Sequence, residues 1–277
     1  MQKSMLIWAC GLGLASPWML SAQEMRVYTV TRSATTVEED PPHDPIMARS
    51  LTLFHAGKVY DYISSLQEVT IFEPAHHRFT ILNESAAAVA VVSQDEIRRF
   101  LALAEERAQE VAADLLRSPD PQQRQSVDLL QFQLRPTFEA TYEPMSRRLK
   151  LQAPQFTYDV LCASAPQPLI ADSYLRYADA ITELNSVLHP HSFLPGPRME
   201  LNRQLREHGV LPISVRRRVD YGATLEIVAE HEWKWSLTEL DRKCIDRWES
   251  QISKGLLRPL SFEQMQRAVL TGKLSQR

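Results

Sequence analysis

The sequence predicts an α+β fold in which an antiparallel sheet curls around amphipathic helices. Short segments rich in β-branched and aromatic residues alternate apolar with polar positions and are separated by turn residues, as in hairpin-linked strands. Between them lie stretches in which apolar residues recur at the spacing of one helix face. Hairpin-linked strands favour an antiparallel sheet, and amphipathic helices must cover an apolar face of that sheet.

Strands dominate the first part of the chain. Met25–Ser33 has the composition of a strand, whereas residues 35–45 are acidic, contain three prolines and are predicted to form a loop. Two hairpins follow, with Gly57 in the first turn and Pro74, which lacks an N–H group, in the second connection. Their predicted arms are residues 51–54 with 59–63, and 69–72 with 79–82.

Helices and a second β region follow in turn. Ser93 and Glu96 form a capping-box motif that predicts a helix, which ends at the proline-containing residues 117–126. Three further strands are predicted at residues 137–142, 149–151 and 155–163. Later helices are predicted at residues 172–188, 197–208, 237–252 and 261–272. The third of these begins after a second capping-box motif, Ser236 with Glu239.

The closing hairpin, before that third helix, shows the clearest alternation. Its apolar positions are Leu211, Ile213, Val215 and Val219 on one strand, and Leu225, Ile227, Ala229, Trp233 and Trp235 on the other. Side chains alternate between the two faces of a strand, and the apolar positions on both strands have odd numbers. These residues share one face only if each residue pairs with a partner of the same parity, so that the two residue numbers have an even sum. A short connection around Gly222 therefore predicts that Val219 pairs with Leu225 and Arg217 with Ile227.

The N-terminus has the layout of a secretory signal peptide. Lys3 precedes an apolar run, and small residues at Ser21 and Ala22 predict cleavage near Ala22. The run at residues 5–15 is too short for a transmembrane anchor, which needs ~20 apolar residues. We therefore expect a periplasmic or secreted protein with a signal peptide at residues 1–22, a single α+β domain at 23–255, and a short C-terminal helix or tail at 256–277.

Charge and cysteine content limit the possible partners. Removing residues 1–22 removes one lysine and no acid, so the formal net charge changes from −3 to −4. A mildly acidic chain has no basic footprint for nucleic acid, and no later segment is apolar enough to cross a bilayer.

Cys162 and Cys244 remain after cleavage of the signal peptide. They form either a disulfide, which is common in exported proteins, or two buried thiols.

The histidines do not form a recognisable metal or catalytic motif. His55 ends a strand, and the adjacent pair His76 and His77 lies in a hairpin connection without acidic or cysteine partners at ligand spacing. We interpret all three as residues at the rim of the sheet. G-x-S-x-G, H-E-x-x-H and phosphate-binding glycine loops are also absent from the sequence. No metal, cofactor or catalytic residue is therefore predicted.

Arg217 and His231 interrupt the apolar face of the closing hairpin. Either the arginine is partly buried beside a carboxylate or the sheet edge, or this face lines a cavity that holds a ligand head group. The strand faces are also rich in aromatic residues, which can line a ligand site or simply pack in a core. The predicted ligand-binding residues are Phe54, Tyr60, Tyr62, Phe72, Phe79, Arg217, His231, Trp233 and Trp235.

Three short segments resemble the periplasmic lipoprotein-carrier (LolA/LolB-like) superfamily. They are "FHAGKVYDYI", "EVTIFEPAHHRFTIL" and "GVLPISVRRRVDYGATLEIVAEHEW", within residues 25–82 and 209–235. The resemblance implies an incomplete β-barrel or strongly curved sheet, with amphipathic helices covering its concave face and acyl chains held in the concavity. It transfers no individual residue role, because such carriers use a general apolar lining.

Three functions are compatible with these patterns. The first is an exported, non-enzymatic envelope protein that binds an apolar ligand, such as a lipid or lipoprotein acyl chain, or an envelope partner. The second is a structural or sensory envelope domain whose own helices fill its core. The third is an enzyme of unfamiliar type, with a polar site around Arg217 and His231.

Overall fold

The computed structural model describes residues 24–34, 46–117, 120–189 and 192–272. These residues form six α-helices and one 12-stranded sheet, which confirms the α+β class. The predicted signal peptide and the predicted loop at residues 35–45 lie outside the described residues. Among the residues described, no helix is long and apolar enough to span a membrane.

The strands and helices alternate in blocks along the chain. The strands are β1 (Met25–Ser33), β2 (Ile46–His55), β3 (Lys58–Ile63), β4 (Glu68–Glu73), β5 (Arg78–Asn83), β6 (Ala88–Ser93), β7 (Glu139–Glu143), β8 (Arg148–Ala153), β9 (Phe156–Ser164), β10 (Val210–Tyr221), β11 (Ala223–Lys234) and β12 (Arg258–Leu260). The helices are α1 (Gln94–Leu115), α2 (Pro121–Leu134), α3 (Pro168–Leu188), α4 (Gly196–Glu207), α5 (Glu239–Ser253) and α6 (Phe262–Leu270).

The sheet is open, and β1 lies near its centre. The strand order is β12-β6-β5-β4-β3-β2-β1-β11-β10-β9-β8-β7. Neighbouring strands are antiparallel except β12, which pairs with β6 in parallel. β1 pairs with β2 on one side and with β11 on the other, so it joins the N-terminal meander to the strands of the C-terminal half.

The register predicted for the closing hairpin is confirmed. Val219 pairs with Leu225, and Arg217 pairs with Ile227. The same strand, β10, also pairs with β9, where the register shifts between Pro212 and Ser214. A bulge is a common position for proline in a sheet, because proline cannot donate a hydrogen bond to the neighbouring strand.

The alternating side chains of the sheet contribute to two separate hydrophobic cores. The first core packs side chains of α1, α2, α3, α4 and α6 against one face, with Phe72, Phe79 and Leu175 among its buried residues. The second core lies on the other face, where Trp248 and Ile245 of α5 are buried. Helices therefore cover both faces of the sheet.

Three elements were not predicted from the sequence. β6 (AVAVVS) has the valine content typical of a strand but was not recognised as one, and β12 has only three residues. α2 begins at Pro121, within the segment predicted to end the preceding helix. Proline is well tolerated in the first turn of a helix, because the N–H group that it lacks has no intrahelical partner there.

The capping-box motif predicted before α5 is placed two residues too early. The cap is Thr238, whose Oγ1 accepts a hydrogen bond of 3.1 Å from the backbone N–H of Asp241, while the Asp241 carboxylate accepts one from the Thr238 N–H. The side chain of Leu240, the second residue of α5, is exposed. At Ser93 one hydrogen bond of the predicted capping box is present: the hydroxyl oxygen of Ser93 accepts a hydrogen bond from the backbone N–H of Glu96.

Cys162 and Cys244 are both free thiols, so the disulfide alternative is wrong. Cys162 is buried in the first core, whereas Cys244 packs against the second core. The sheet therefore separates the two sulfur atoms. Burial raises the pKa of the Cys162 thiol to about 11, which keeps it protonated and unreactive near neutral pH.

Candidate ligand-binding site

A cavity of about 800 Å³ lies between the sheet and the helices of the first core. Its floor is formed by β1, β2, β9, β10 and β11, and its roof by α3, the start of α4 and residues 192–194. This volume is within the range of about 300–1,000 Å³ that is typical of small-molecule sites.

The cavity wall is mainly apolar, with polar groups from tyrosines, arginines and small hydroxyl side chains. It is lined by Thr31, Met47, Phe156, Tyr158, Tyr174, Tyr177, Ala178, Ile181, Thr182, Asn185, Ser186, Ser192, Phe193, Leu194, Pro197, Arg198, Val215, Arg217, Tyr221, Leu225, Ile227 and Ala229. Of these described residues, none carries a carboxylate. Met47 and Tyr221 are about half exposed and mark the rim.

Strand alternation places the floor residues on one face. Leu225, Ile227 and Ala229 of β11 point to the cavity and are only half-buried, although they lie near the centre of the sheet. Leu149 and Leu151 of β8, in contrast, are fully buried in the first core. The apolar face of β11 is thus incompletely covered by the protein itself.

Arg217 projects from β10 into this cavity without a carboxylate partner among the described residues. Its guanidinium lies over the ring of Phe193, with Cζ 5.0 Å from the ring centroid, and it is hydrogen-bonded to the hydroxyl of Tyr158. The Arg217 Nε atom is buried without a hydrogen-bond partner. Burial lowers the pKa of Arg217, but an arginine keeps its charge in proteins.

Arg198 brings a second positive charge from α4. Its Nε donates a hydrogen bond of 3.1 Å to Oδ1 of Asn202, and its guanidinium is hydrogen-bonded to the hydroxyl of Tyr174. The positive charge of Arg198 also contributes to the lowered pKa of Arg217. The two guanidinium groups therefore repel each other at the same site.

His231 continues the cavity face of β11 beyond Ala229. Its Nδ1 lies 2.9 Å from Oγ1 of Thr29, whereas its Nε2 is buried without a hydrogen-bond partner. Burial, together with the charge of Arg198, lowers the pKa of His231 to about 3. The imidazole is therefore neutral near neutral pH.

Asp61 lies behind the cavity wall. Its Oδ1 accepts a hydrogen bond of 2.7 Å from Thr52, and its carboxyl group is also hydrogen-bonded to the hydroxyl of Tyr177. Burial raises the pKa of Asp61 from 3.8 to about 6. Tyr177 thus separates this carboxyl group from the cavity.

Four of the predicted ligand-binding residues lie at or beside the cavity. Arg217 lines it, and His231 lies next along the same strand face. Trp233 packs edge-on against Tyr174, with ring centroids 4.8 Å apart, and its Nε1 donates to the backbone oxygen of Pro212. Trp235 stacks on Trp233 and is 46% exposed.

Three predicted residues lie one layer behind the wall. Phe54 and Phe72 contact the ring of Tyr177 at centroid distances of 5.8 Å and 6.4 Å, and Phe79 stacks on Phe72. All three are buried in the first core. They support a lining residue but do not line the cavity.

Tyr60 and Tyr62 lie on the opposite face of the sheet, away from the cavity. Phe54 pairs with Val59 across the β2–β3 hairpin, so Tyr60 points to the face opposite Phe54. Both tyrosine rings pack against Trp248 of α5 in the second core. Tyr60 and Tyr62 therefore do not line the cavity.

The sequence did not identify several residues that shape the site. Tyr174, Tyr177 and Ile181 recur at helical spacing on α3, and this spacing could have indicated an aromatic face. Tyr158 lies within the strand predicted at residues 155–163, but the sequence did not indicate that it belongs to a site. Arg198 gave no sequence signal, because nothing local indicates that α4 turns this residue toward Arg217.

Comparison with known proteins assigns no family to the chain. No protein-family model matches the chain, and no curated protein matches it significantly. Within the described ranges, no group of three or more His, Cys, Asp or Glu side chains is placed to hold a metal ion.

Proposed function

We propose that this protein is an exported, non-enzymatic envelope protein that binds an apolar ligand, a lipid or acyl chain, in the cavity between the sheet and α3. The observation that carries this proposal is the cavity of about 800 Å³ with a mainly apolar wall. Covering exposed apolar surface contributes about 25 cal/mol per Å², so a hydrocarbon chain is the chemistry that this wall favours.

The incomplete coverage of β11 supports this proposal. Leu225, Ile227 and Ala229 keep part of their surface accessible, although helices pack over the same sheet face elsewhere. A core filled entirely by its own helices would bury these side chains. A ligand chain that lies along the floor would bury them instead.

The proposed architecture agrees with the carrier resemblance. In that interpretation the sheet curves around the cavity as an incomplete barrel, and α3 with the start of α4 covers the concave side. The proposed export follows from the signal-peptide layout of residues 1–22.

The first test is direct detection of ligand. Mass spectrometry of an organic extract from the purified exported protein should show co-purifying lipid. After delipidation, the neutral apolar dye N-phenylnaphthylamine should bind with a rise in fluorescence, and a long-chain alcohol should displace it.

A cavity-filling substitution makes this test specific. Ala229→Phe places a ring in the cavity and should weaken dye binding by about tenfold or more, equivalent to at least about 1.4 kcal/mol. Ala140→Phe, on the exposed edge strand β7, adds the same ring elsewhere and should leave dye binding unchanged. Absence of both lipid and dye binding in the unsubstituted protein would contradict the proposal and favour a structural or sensory domain.

A further inference from the structure

The two arginines at the cavity differ from their neighbours in having no ion-pair partner among the described residues. On β10, Arg216 pairs with Glu226 and Arg218 pairs with Asp220. On α4, Arg203 and Arg206 likewise pair with carboxylates. Of the described arginines on β10 and α4, only Arg198 and Arg217, which face the cavity, form no ion pair with a carboxylate.

Neutral groups satisfy part of the hydrogen-bonding capacity of these arginines but none of their charge. Arg217 contacts the Tyr158 hydroxyl and the Phe193 ring, and Arg198 contacts Tyr174 and Asn202. A partly desolvated cation without an anion is unfavourable, and two adjacent cations add mutual repulsion. A bound anion would remove both penalties.

The nearby titratable groups do not supply that anion. His231 is neutral at neutral pH, and the Asp61 carboxyl group is hydrogen-bonded to Tyr177 behind the wall. The cavity therefore combines an apolar floor with a positive site beside it. This combination matches an amphiphile with an apolar chain and a negative head group.

We infer that the cavity binds amphiphiles with a single anionic head group, a carboxylate or a phosphate monoester, held between the guanidinium groups of Arg217 and Arg198. The chain would lie along Leu225, Ile227 and Ala229, and the head group would accept hydrogen bonds from the guanidinium N–H groups, including the Nε–H of Arg217 that has no partner. This inference rests on the proposed function, because it names the ligand class of the same cavity.

The test compares ligands that differ only in the head group. Hexadecanoate, hexadecyl phosphate and neutral hexadecanol compete against N-phenylnaphthylamine on the delipidated protein, each below its aggregation concentration. The anions should compete about ten- to a hundredfold better than the alcohol, because hydrogen bonds to charged groups are worth more than neutral ones. A preference for one anion would identify the head group as carboxylate or phosphate.

Variants locate the preference. Arg217→Gln and Arg198→Gln should each reduce the anion-to-alcohol ratio by about tenfold while leaving the affinity for hexadecanol within about twofold. Arg217→Lys, which keeps the charge, should retain most of the preference. Arg218→Gln removes an exposed arginine next to Arg217 in sequence and should leave the ratio unchanged, because its side chain points to the other face.

The outcomes separate the two proposals. Equal competition by anions and alcohol in the unsubstituted protein would overturn this inference while leaving apolar binding intact. An anion preference that persists in both glutamine variants would overturn the assignment to Arg217 and Arg198. Absence of dye binding and of displacement by any ligand would overturn the proposed function together with the inference.

Discussion

Asp61→Asn should change how the stability of the protein depends on pH. Asp61 is buried in the first layer behind the cavity, and burial raises the pKa of its carboxyl group from 3.8 to about 6. Asparagine keeps an acceptor oxygen for Thr52 and Tyr177 but carries no charge at any pH. The comparison therefore isolates the energetic cost of ionising this carboxyl group in the folded state.

The magnitude follows from the two pKa values. One pKa unit corresponds to about 1.4 kcal/mol, so the difference between 3.8 and about 6 corresponds to about 3 kcal/mol. Above the folded pKa the carboxylate is ionised in both states, and the folded protein bears the whole cost. As the pH falls through the folded pKa toward the unfolded pKa, the folded protein takes up a proton first and the cost is relieved.

Urea unfolding followed by circular dichroism measures this effect as a difference between variants. The free energy of unfolding of Asp61→Asn, minus that of the unsubstituted protein, should be about 2 kcal/mol larger at pH 7 than at pH 4. A constant cost from the extra N–H group of asparagine cancels in this comparison. Asp114→Asn, on the exposed surface of α1, serves as the control and should show much less pH dependence.

If the difference between Asp61→Asn and the unsubstituted protein changes with pH no more than it does for Asp114→Asn, the Asp61 carboxyl group does not carry a raised pKa in the folded state. A change of opposite sign would mean that the hydrogen bonds from Thr52 and Tyr177 outweigh the cost of burial.

Two further predictions concern a histidine beside the cavity and the cap of α5. His231→Gln should make the free energy of unfolding less sensitive to acid. The pKa of His231 is lowered from 6.5 to about 3 in the folded protein, so the neutral imidazole stabilises the fold above pH 6.5 and this stabilisation is lost as the pH falls. In the unsubstituted protein the loss should be about 2 kcal/mol between pH 7 and pH 5. Urea unfolding of this variant beside exposed His76→Gln checks it, and equal acid sensitivity in His231→Gln and the unsubstituted protein would refute it. Thr238→Ala should lower the free energy of unfolding by about 1 kcal/mol through loss of the helix cap, whereas Ser236→Ala should have little effect; the reverse order would place the cap at Ser236.

Much of the strand arrangement was predictable because strand patterns are local. The bounds of β1, the two hairpins after it and the pairing of Val219 with Leu225 follow from side-chain alternation and turn residues. Capping was less certain, because Ser236 with Glu239 and Thr238 with Asp241 both fit the same short motif. Only packing of the following helix selects between them.

The candidate site was predictable only in part. Arg217 and His231 were recognised because a charged and a polar residue interrupt an apolar alternation. Alternation along β3 separates Tyr60 and Tyr62 from Val59, but the sequence could not indicate which face carries the cavity, because both faces of this sheet are apolar and covered by helices.

The sequence by itself determined which residues share a strand or helix face, since that depends only on the local backbone period. The tertiary structure alone decided that α3 and α4 stop short of filling the space above β11, and that Arg198 lines the same cavity as Arg217. A cavity is the space left between elements that are distant in sequence. Its position depends on how closely the packed surfaces approach, and no short-range pattern in the chain encodes that distance.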